Sequence, residues 1–247
     1  MQRFFVDPEQ IGRDTHRIRV SGPDVNHMKN VLRLRPGEEV WVSDGVGREY
    51  HCTVEAYEDQ EALLHILYSQ EPDYELPSRI CLFQGIPKSD KMELIIQKAV
   101  ELGAAEIIPL RLSRCVVKLE GEKAVRKTAR WQQISESAAK QSRRMKIPTV
   151  HTPVGLEEAL AMASELDVLL VPYELAEDME HTRQLLSSIR PGQSLGIFIG
   201  PEGGFEETEV SRILEAGGQA ITLGRRILRT ETAGMTLLSV LMYLLEG

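Results

Sequence analysis

The stretch from Leu195 to Ala233 constrains the fold more than any other part of the chain. It reads L-G-I-F-I-G-P-E-G-G-F, then a short charged helical segment, then I-T-L-G-R-R-I-L-R-T-E-T-A. Residues 195–199 have the pattern of a buried strand and stop at Gly200-Pro201-Glu202-Gly203-Gly204. A shorter apolar run, 220–223, stops at Gly224. Glycine at a strand end permits positive φ and lets another molecule approach bare backbone. In open α/β sheets ligands lie outside the carboxyl ends of the strands. Two such ends so close in sequence predict one ligand lying across both loops.

The remainder divides into two patterns. Residues 1–72 read as short strands (3–6, 17–20, 40–43, 50–56 and 63–68) with turn signals at Pro36-Gly37 and Asp44-Gly45, the signature of a small β-barrel. Between them, residues 24–34 have apolar positions at helical spacing, with Asp24 as a cap. A polar segment with two prolines, 71–78, marks the boundary between a domain over 1–72 and a second over 73–247. From Arg79 onward strands alternate with helices: strands at 80–84, 106–110 and 168–172, helices at 91–102, 123–144 and 156–164, and an apolar closing helix at 232–245. That alternation predicts a parallel sheet covered on both faces.

Charge sets the classes of partner. The net charge of -8 hides an asymmetry: residues 1–75 hold 8 basic and 15 acidic side chains, residues 76–150 hold 15 and 7, and residues 151–247 hold 6 and 15. A basic middle third between acidic flanks is a candidate footprint for a polyanion. No apolar run approaches the length of a membrane span, and the first residues lack the apolar core of a secretory leader. Cys52, Cys81 and Cys115 lie far apart with no C-x-x-C, which argues against zinc or a disulfide framework and fits a reducing, cytoplasmic compartment. No metal and no membrane partner are expected.

The glycine loop at 200–204 is neither a Walker A loop, because no Lys-Ser/Thr follows, nor a G-x-G-x-x-G turn. Pro201 offers no amide to an anion. Exposed carbonyls and amides suit a nucleoside better than a phosphate. In the second loop Arg225, Arg226, Arg229 and Glu231 crowd the point where a strand turns into a helix. Arg229 and Glu231 read either as a weak surface pair or as part of a site; their place at a glycine-rich strand end favours the site.

In order, F-I-G-P-E-G-G-F (198–205) and L-G-R-R-I-L-R-T-E-T-A (223–233) resemble the SPOUT, or trefoil-knot, RNA methyltransferases. The likeness is specifically to the RsmE family, which methylates N3 of uracil in 16S ribosomal RNA. Further matches are H-M-K-N-V-L-R-L (27–34), Q-G-I-P-K-S-D-K-M-E-L-I-I-Q-K-A-V-E-L-G (84–103), S-R-C-V-V-K (113–118), R-W-Q-Q-I-S-E-S-A-A-K-Q-S-R-R (130–144) and V-P-Y-E (171–174), so the likeness runs along essentially the whole chain.

The resemblance implies a PUA-like RNA-binding β-barrel followed by an α/β trefoil-knot methyltransferase domain, S-adenosylmethionine as cofactor, and a homodimer acting on 16S rRNA of the small ribosomal subunit. Carried onto this sequence, the cofactor pocket comprises Val171, Pro172, Gly200, Pro201, Glu202, Gly203, Leu223, Gly224, Ile227 and Leu228. Arg229 would stabilise negative charge on the uracil, and Glu231 would orient it or take its proton. Expected RNA contacts are Lys118, Lys123, Arg126, Lys127 and Arg130 in the basic third, Lys29, Arg33 and Arg35 on the barrel, and Gln141, Arg143 and Arg144 at the target nucleotide. Ribose 2′-O-methylation and a non-catalytic ribosome assembly factor are the alternatives.

Overall fold

The computed structural model describes residues 1–12, 14–176 and 178–246. They form two compact units: Met1–Glu75 with Ala139–Ile147, and Leu76–Ala138 with Pro148–Gly247. Residues 139–147, which the sequence places with the second domain, therefore group with the first.

The first unit contains β1 (Gln2–Phe5), β2 (Ile11–Gly12), β3 (Arg17–Ser21), α1 (Pro23–Asn26), β4 (Glu39–Ser43), β5 (Glu49–Glu58) and β6 (Glu61–Gln70). They pair in the order β1-β4-β5-β6-β3-β2, antiparallel except for β1 with β4. β3 alternates exposed and buried residues, so Ile18 and Val20 join Phe4, Val40, Val42 and Leu64 in one apolar core. The helix expected over 24–34 is shorter. After α1 the chain makes a π-helical turn over His27–Val31, in which the Leu32 amide reaches the His27 carbonyl, and Arg33 is left-handed with φ 56°. The carboxylate of Glu75 explains why 139–147 belongs here. It pairs with the Arg144 guanidinium and accepts the amides of Met145 (2.8 Å) and Lys146 (3.2 Å). The Ser43 hydroxyl donates to the Met145 carbonyl.

The second unit runs through β7 (Ile80–Gly85), α2 (Lys91–Glu101), β8 (Glu106–Arg111), α3 (Gly121–Ser142), β9 (Thr149–Val150), β10 (Val154–Gly155), α4 (Leu156–Ala163), β11 (Val168–Pro172), α5 (Met179–Ser188), β12 (Leu195–Ile199), α6 (Glu207–Glu215), β13 (Gly218–Ile221) and α7 (Thr230–Leu245). The last turn of α3 falls in the first unit. The strands form one parallel sheet, ordered β10-β8-β7-β12-β11-β13, with β9 also on β8. Every residue of β7 and of β12 is buried, as a parallel strand covered on both faces requires. Register places Phe83 opposite Phe198, and their rings stack at 4.4 Å. Such a pair adds about 0.5–1.5 kcal/mol beyond its buried area.

Two elements differ from the sequence reading in extent. β13 covers 218–221 rather than 220–223, the four residues that pair with Leu169–Pro172 of β11; a Cβ at Gly218 would lie 2.6 Å from the Ile213 carbonyl oxygen. α7 begins at Thr230, not Thr232; Arg229 stands at its cap position and makes no side-chain cap hydrogen bond, while the Thr230 hydroxyl bonds the Gly200 carbonyl.

Candidate functional site

β7, β12, β11 and β13 lie side by side and run in the same direction, so their carboxyl ends share one edge of the sheet. Register levels those ends: Ile199 sits opposite Gln84, and Pro172 opposite Ile221. A cleft of about 440 Å3 opens there. That volume is within the roughly 300–1,000 Å3 of small-molecule sites. Its walls are the loop after β12, the loop between β13 and α7, and the tip of β11. The two glycine loops therefore face one cavity, as their sequence predicts.

Pro172, Gly200, Pro201, Glu202, Gly203, Leu223, Gly224, Ile227 and Leu228 all line the cleft. Val171 does not. It is fully buried, and in a strand its side chain points to the opposite face from Pro172, into the core with Phe198 and Val210. Among the described residues, the amides of residues 225–228 donate to no protein group. Gly224 has φ 113°, and a Cβ there would meet nothing within 4 Å, so a side chain would be strained and would occupy the cleft.

Polar side chains hold this wall from behind. Gln84, fully buried at the end of β7, donates from Nε2 to the Gly85 carbonyl (2.9 Å) and to the Thr230 hydroxyl (2.8 Å). Thr230 in turn donates to the Gly200 carbonyl at 2.6 Å. The first turn of α7 is thereby tied to the loop after β12 and to the end of β7. Gly85 must be glycine for this approach: a Cβ would lie 2.6 Å from the Pro201 nitrogen. From the side, both carboxylate oxygens of Glu202 accept the Lys88 amide (3.1 and 3.2 Å), and Arg114 donates to the Gly203 carbonyl (2.9 Å). Burial pushes the Glu202 carboxyl up, but its own backbone amide, the Lys88 amide and the Lys91 ammonium outweigh this and hold it below the usual glutamate range.

Family models match an RNA methyltransferase domain at residues 74–242 and an RNA methyltransferase PUA domain at residues 20–67. Ribosomal RNA small subunit methyltransferase E of Bacillus subtilis is 37% identical over 251 residues, spanning 100% of this chain and 98% of that protein. The Mycobacterium tuberculosis protein of the same name is 32% identical over 93% of this chain and 87% of its own length. The chain belongs to the ribosomal RNA small subunit methyltransferase E family. Among solved structures, the Neisseria gonorrhoeae member bound to S-adenosyl methionine matches with a TM-score of 0.84 and 36% identity, over 99% of this chain and 98% of that one. A putative methyltransferase of Legionella pneumophila in complex with the same cofactor matches with a TM-score of 0.85 and 32% identity, over 98% and 96%. The fold is accordingly a PUA domain followed by an RNA methyltransferase domain, as in the cofactor-bound Neisseria structure.

In this methyltransferase Arg229 immediately precedes α7, exposed on the rim of the cleft. Glu231 follows in the first turn, but the two form no ion pair among the described residues. Glu231 instead lies 3.4 Å from the ammonium of Lys91, which is also 3.2 Å from Glu202. Lys91 lines the cleft, and the sequence reading assigned it no role. Its signal is the K-S-D-K run just past the end of β7, which becomes informative only once β7 is known to neighbour β12.

The expected RNA-contacting cations fall into distinct groups. Arg126 sits by Glu122 (3.9 Å), Lys127 by Asp90 (3.5 Å) and Glu93 (3.8 Å), and Arg130 binds Glu93 (2.8 Å). Lys118 and Lys123 are exposed and, among the described residues, make no ion pair. On the first unit Lys29, Arg33 and Arg35 are exposed; the Lys29 ammonium stands 5.7 Å from the Tyr57 ring centre. Gln141 and Arg143 are exposed, and Arg143 is left-handed with φ 63° just past the end of α3. Arg144 departs from its expected role: it is buried and its guanidinium is committed to Glu75. Among the described residues no group of three His, Cys, Asp or Glu side chains gathers as a metal requires, and no helix is long and apolar enough to cross a membrane.

Proposed function

We propose that this chain transfers the methyl group of S-adenosylmethionine to N3 of a uridine in 16S rRNA of the small ribosomal subunit. The observation that carries the reading is the single cleft formed by the two glycine loops, lined by Arg229 and Lys91, with Glu231 behind the Lys91 ammonium. The wall suits an adenosyl group. The unpartnered amides of 225–228 can read a base edge, and Leu223, Ile227 and Leu228 offer apolar surface to its faces. The cofactor supplies an activated methyl group with its own leaving group. The protein must therefore position the nucleotide and manage charge.

Uracil N3 carries a proton and becomes a nucleophile only when that proton leaves. Arg229 stabilises the negative charge that spreads over O2, N3 and O4, and Glu231 takes the proton. Lys118, Lys123, Gln141, Arg143 and the barrel cations Lys29, Arg33 and Arg35 are free to meet RNA phosphates. A second copy of the chain covers the apolar side chains that α2 and α7 leave exposed, namely Leu94, Val240, Tyr243 and Leu244. Placing a charge at Tyr243 (Tyr243→Glu) should shift sedimentation to the monomer.

The reading is tested by incubating purified protein, labelled cofactor and small ribosomal subunits, then digesting the RNA to nucleosides. The expected product is 3-methyluridine, made about 10²–10³-fold more slowly by Arg229→Ala, as for loss of one preorganised donor. A 2′-O-methyl product, or full activity in Arg229→Ala with cofactor affinity intact, would overturn it.

A further inference from the structure

We infer that Lys91 is a positioning residue for methyl transfer, acting through Glu231. The inference rests on the proposal that Glu231 takes the uracil proton, and extends it to a side chain on a different helix.

Glu231 is only partly accessible, with 16% of its side chain exposed, and its Oε2 is buried without a hydrogen-bond donor. Among the described residues Lys91 is the cation within 4 Å of it. The other charged groups near it are Glu202, from the loop after β12, and Arg229, on the preceding turn. Arg225, Arg226 and Glu174 lie elsewhere around the cleft. The same Lys91 ammonium touches Glu202, so one cation stands between two carboxylates that would otherwise repel each other. Glu202 has further anchors in the two contacts from the Lys88 amide, and Glu231 has none. Removing Lys91 therefore leaves the cofactor loop pinned and frees the Glu231 side chain.

The turn that presents Lys91 is built for a fixed placement. Ser89 has φ 58°, a conformation non-glycine residues adopt at a cost, and the residue before it is clamped by Glu202. The sheet supplies the rest: β7 and β12 are neighbours, so the turn after β7 and the loop after β12 emerge side by side. Lys91 links the start of α2 to the start of α7 across them.

Lys91→Met keeps the aliphatic stem and removes the charge. Its single-turnover methyl transfer should fall about 10- to 100-fold, while the dissociation constant for S-adenosylmethionine, measured by calorimetry, stays within about threefold and the thermal midpoint stays within a few degrees. Lys91→Arg should recover most of the rate. In the double variant Lys91→Met/Glu231→Gln the rate should match that of Glu231→Gln alone, because a positioning residue adds nothing once its client is gone. Multiplicative losses in the double variant, or an unimpaired Lys91→Met beside a slow Glu231→Gln, would refute the role of Lys91 alone. A Glu231→Gln enzyme as fast as the native one would overturn the Glu231 proposal and the inference with it.

Discussion

Replacing Thr230 with valine tests the interlock beneath the cleft. Thr230 is 6% exposed, and its hydroxyl sits between the half-buried Gly200 and the fully buried Gln84, donating to the Gly200 carbonyl at 2.6 Å and accepting from Gln84 Nε2 at 2.8 Å. Valine preserves the branched shape, so no cavity forms. The loss is polar. The Gly200 carbonyl forfeits its donor, and Gln84 Nε2 keeps only the Gly85 carbonyl, while Gln84 Oε1 is already without a partner. An unsatisfied buried group costs about 1–3 kcal/mol, so the two together amount to about 2–6 kcal/mol, toward the lower end because Gly200 is only half-buried. At about 2–4 °C per kcal/mol for a domain of this size, a cost near 3 kcal/mol lowers the thermal midpoint by about 6–12 °C. Thr232→Val, on the exposed side of the same turn, should change stability by less than about 0.5 kcal/mol. Saturating S-adenosylmethionine should stabilise Thr230→Val less than the native protein, by about 1.4 kcal/mol for each tenfold loss of affinity. Differential scanning fluorimetry with and without cofactor reads both quantities. A midpoint within 2 °C of native would show that the hydroxyl does not tie α7 to the Gly200 loop.

Three further outcomes follow from the same geometry. Gly85→Ala places a Cβ 2.6 Å from the Pro201 nitrogen, closer than real contacts allow, so the cofactor loop must move; calorimetry should show at least a tenfold weaker affinity for S-adenosylmethionine. Lys123→Ala should reduce the slope of log affinity against log salt for single-stranded RNA by about 0.7, whereas Arg130→Ala, whose guanidinium is held by Glu93, should reduce it by less; equal changes in filter binding would count against the distinction. Burial pushes the Glu106 carboxyl up, but pairing with Arg79 and His151 outweighs this and leaves it below the usual glutamate value. Its contribution to stability is therefore complete above the unfolded value and is lost as pH falls through the lower folded one, so urea midpoints of Glu106→Gln should decline less steeply toward acid than those of the native protein.

Periodicity and glycine punctuation made the strand ends at 195–199 and 168–172 legible, because a fully buried strand and an abrupt glycine stop are local properties. The cofactor loops followed from them. The assignment of 139–147 to the first unit was not legible: the reason is a single carboxylate, Glu75, that accepts both Arg144 and two amides some seventy positions later in the chain. Residue type alone marked Arg144 as a phosphate ligand, and only burial removes it from that set. Val171 illustrates a finer limit. It stands next to Pro172, but strand alternation sends it into the core. α5 went unread because its apolar positions are few and its start is marked by Asp178, whose side chain accepts the His181 amide in a segment without other strong signals.

The cleft is walled by two loops, so its shape depends on where those loops are held as well as on which side chains line them. Each clamp comes from a different stretch of sequence: Gln84 from the end of β7, Arg114 from the loop after β8, and Thr230 from the start of α7. Thr230 lies between Arg229 and Glu231 in sequence, so the residue that fastens the Gly200 loop is flanked by the two proposed to act on the uracil. A ligand that orders the Gly200 carbonyl consequently orders the backbone carrying both side chains. If the proposed roles hold, Thr230→Val should disturb cofactor affinity and methyl transfer together. The charge crowded at 225–231 belongs to the same cleft: Arg225, Arg226 and Arg229 line it beside the apolar Ile227 and Leu228.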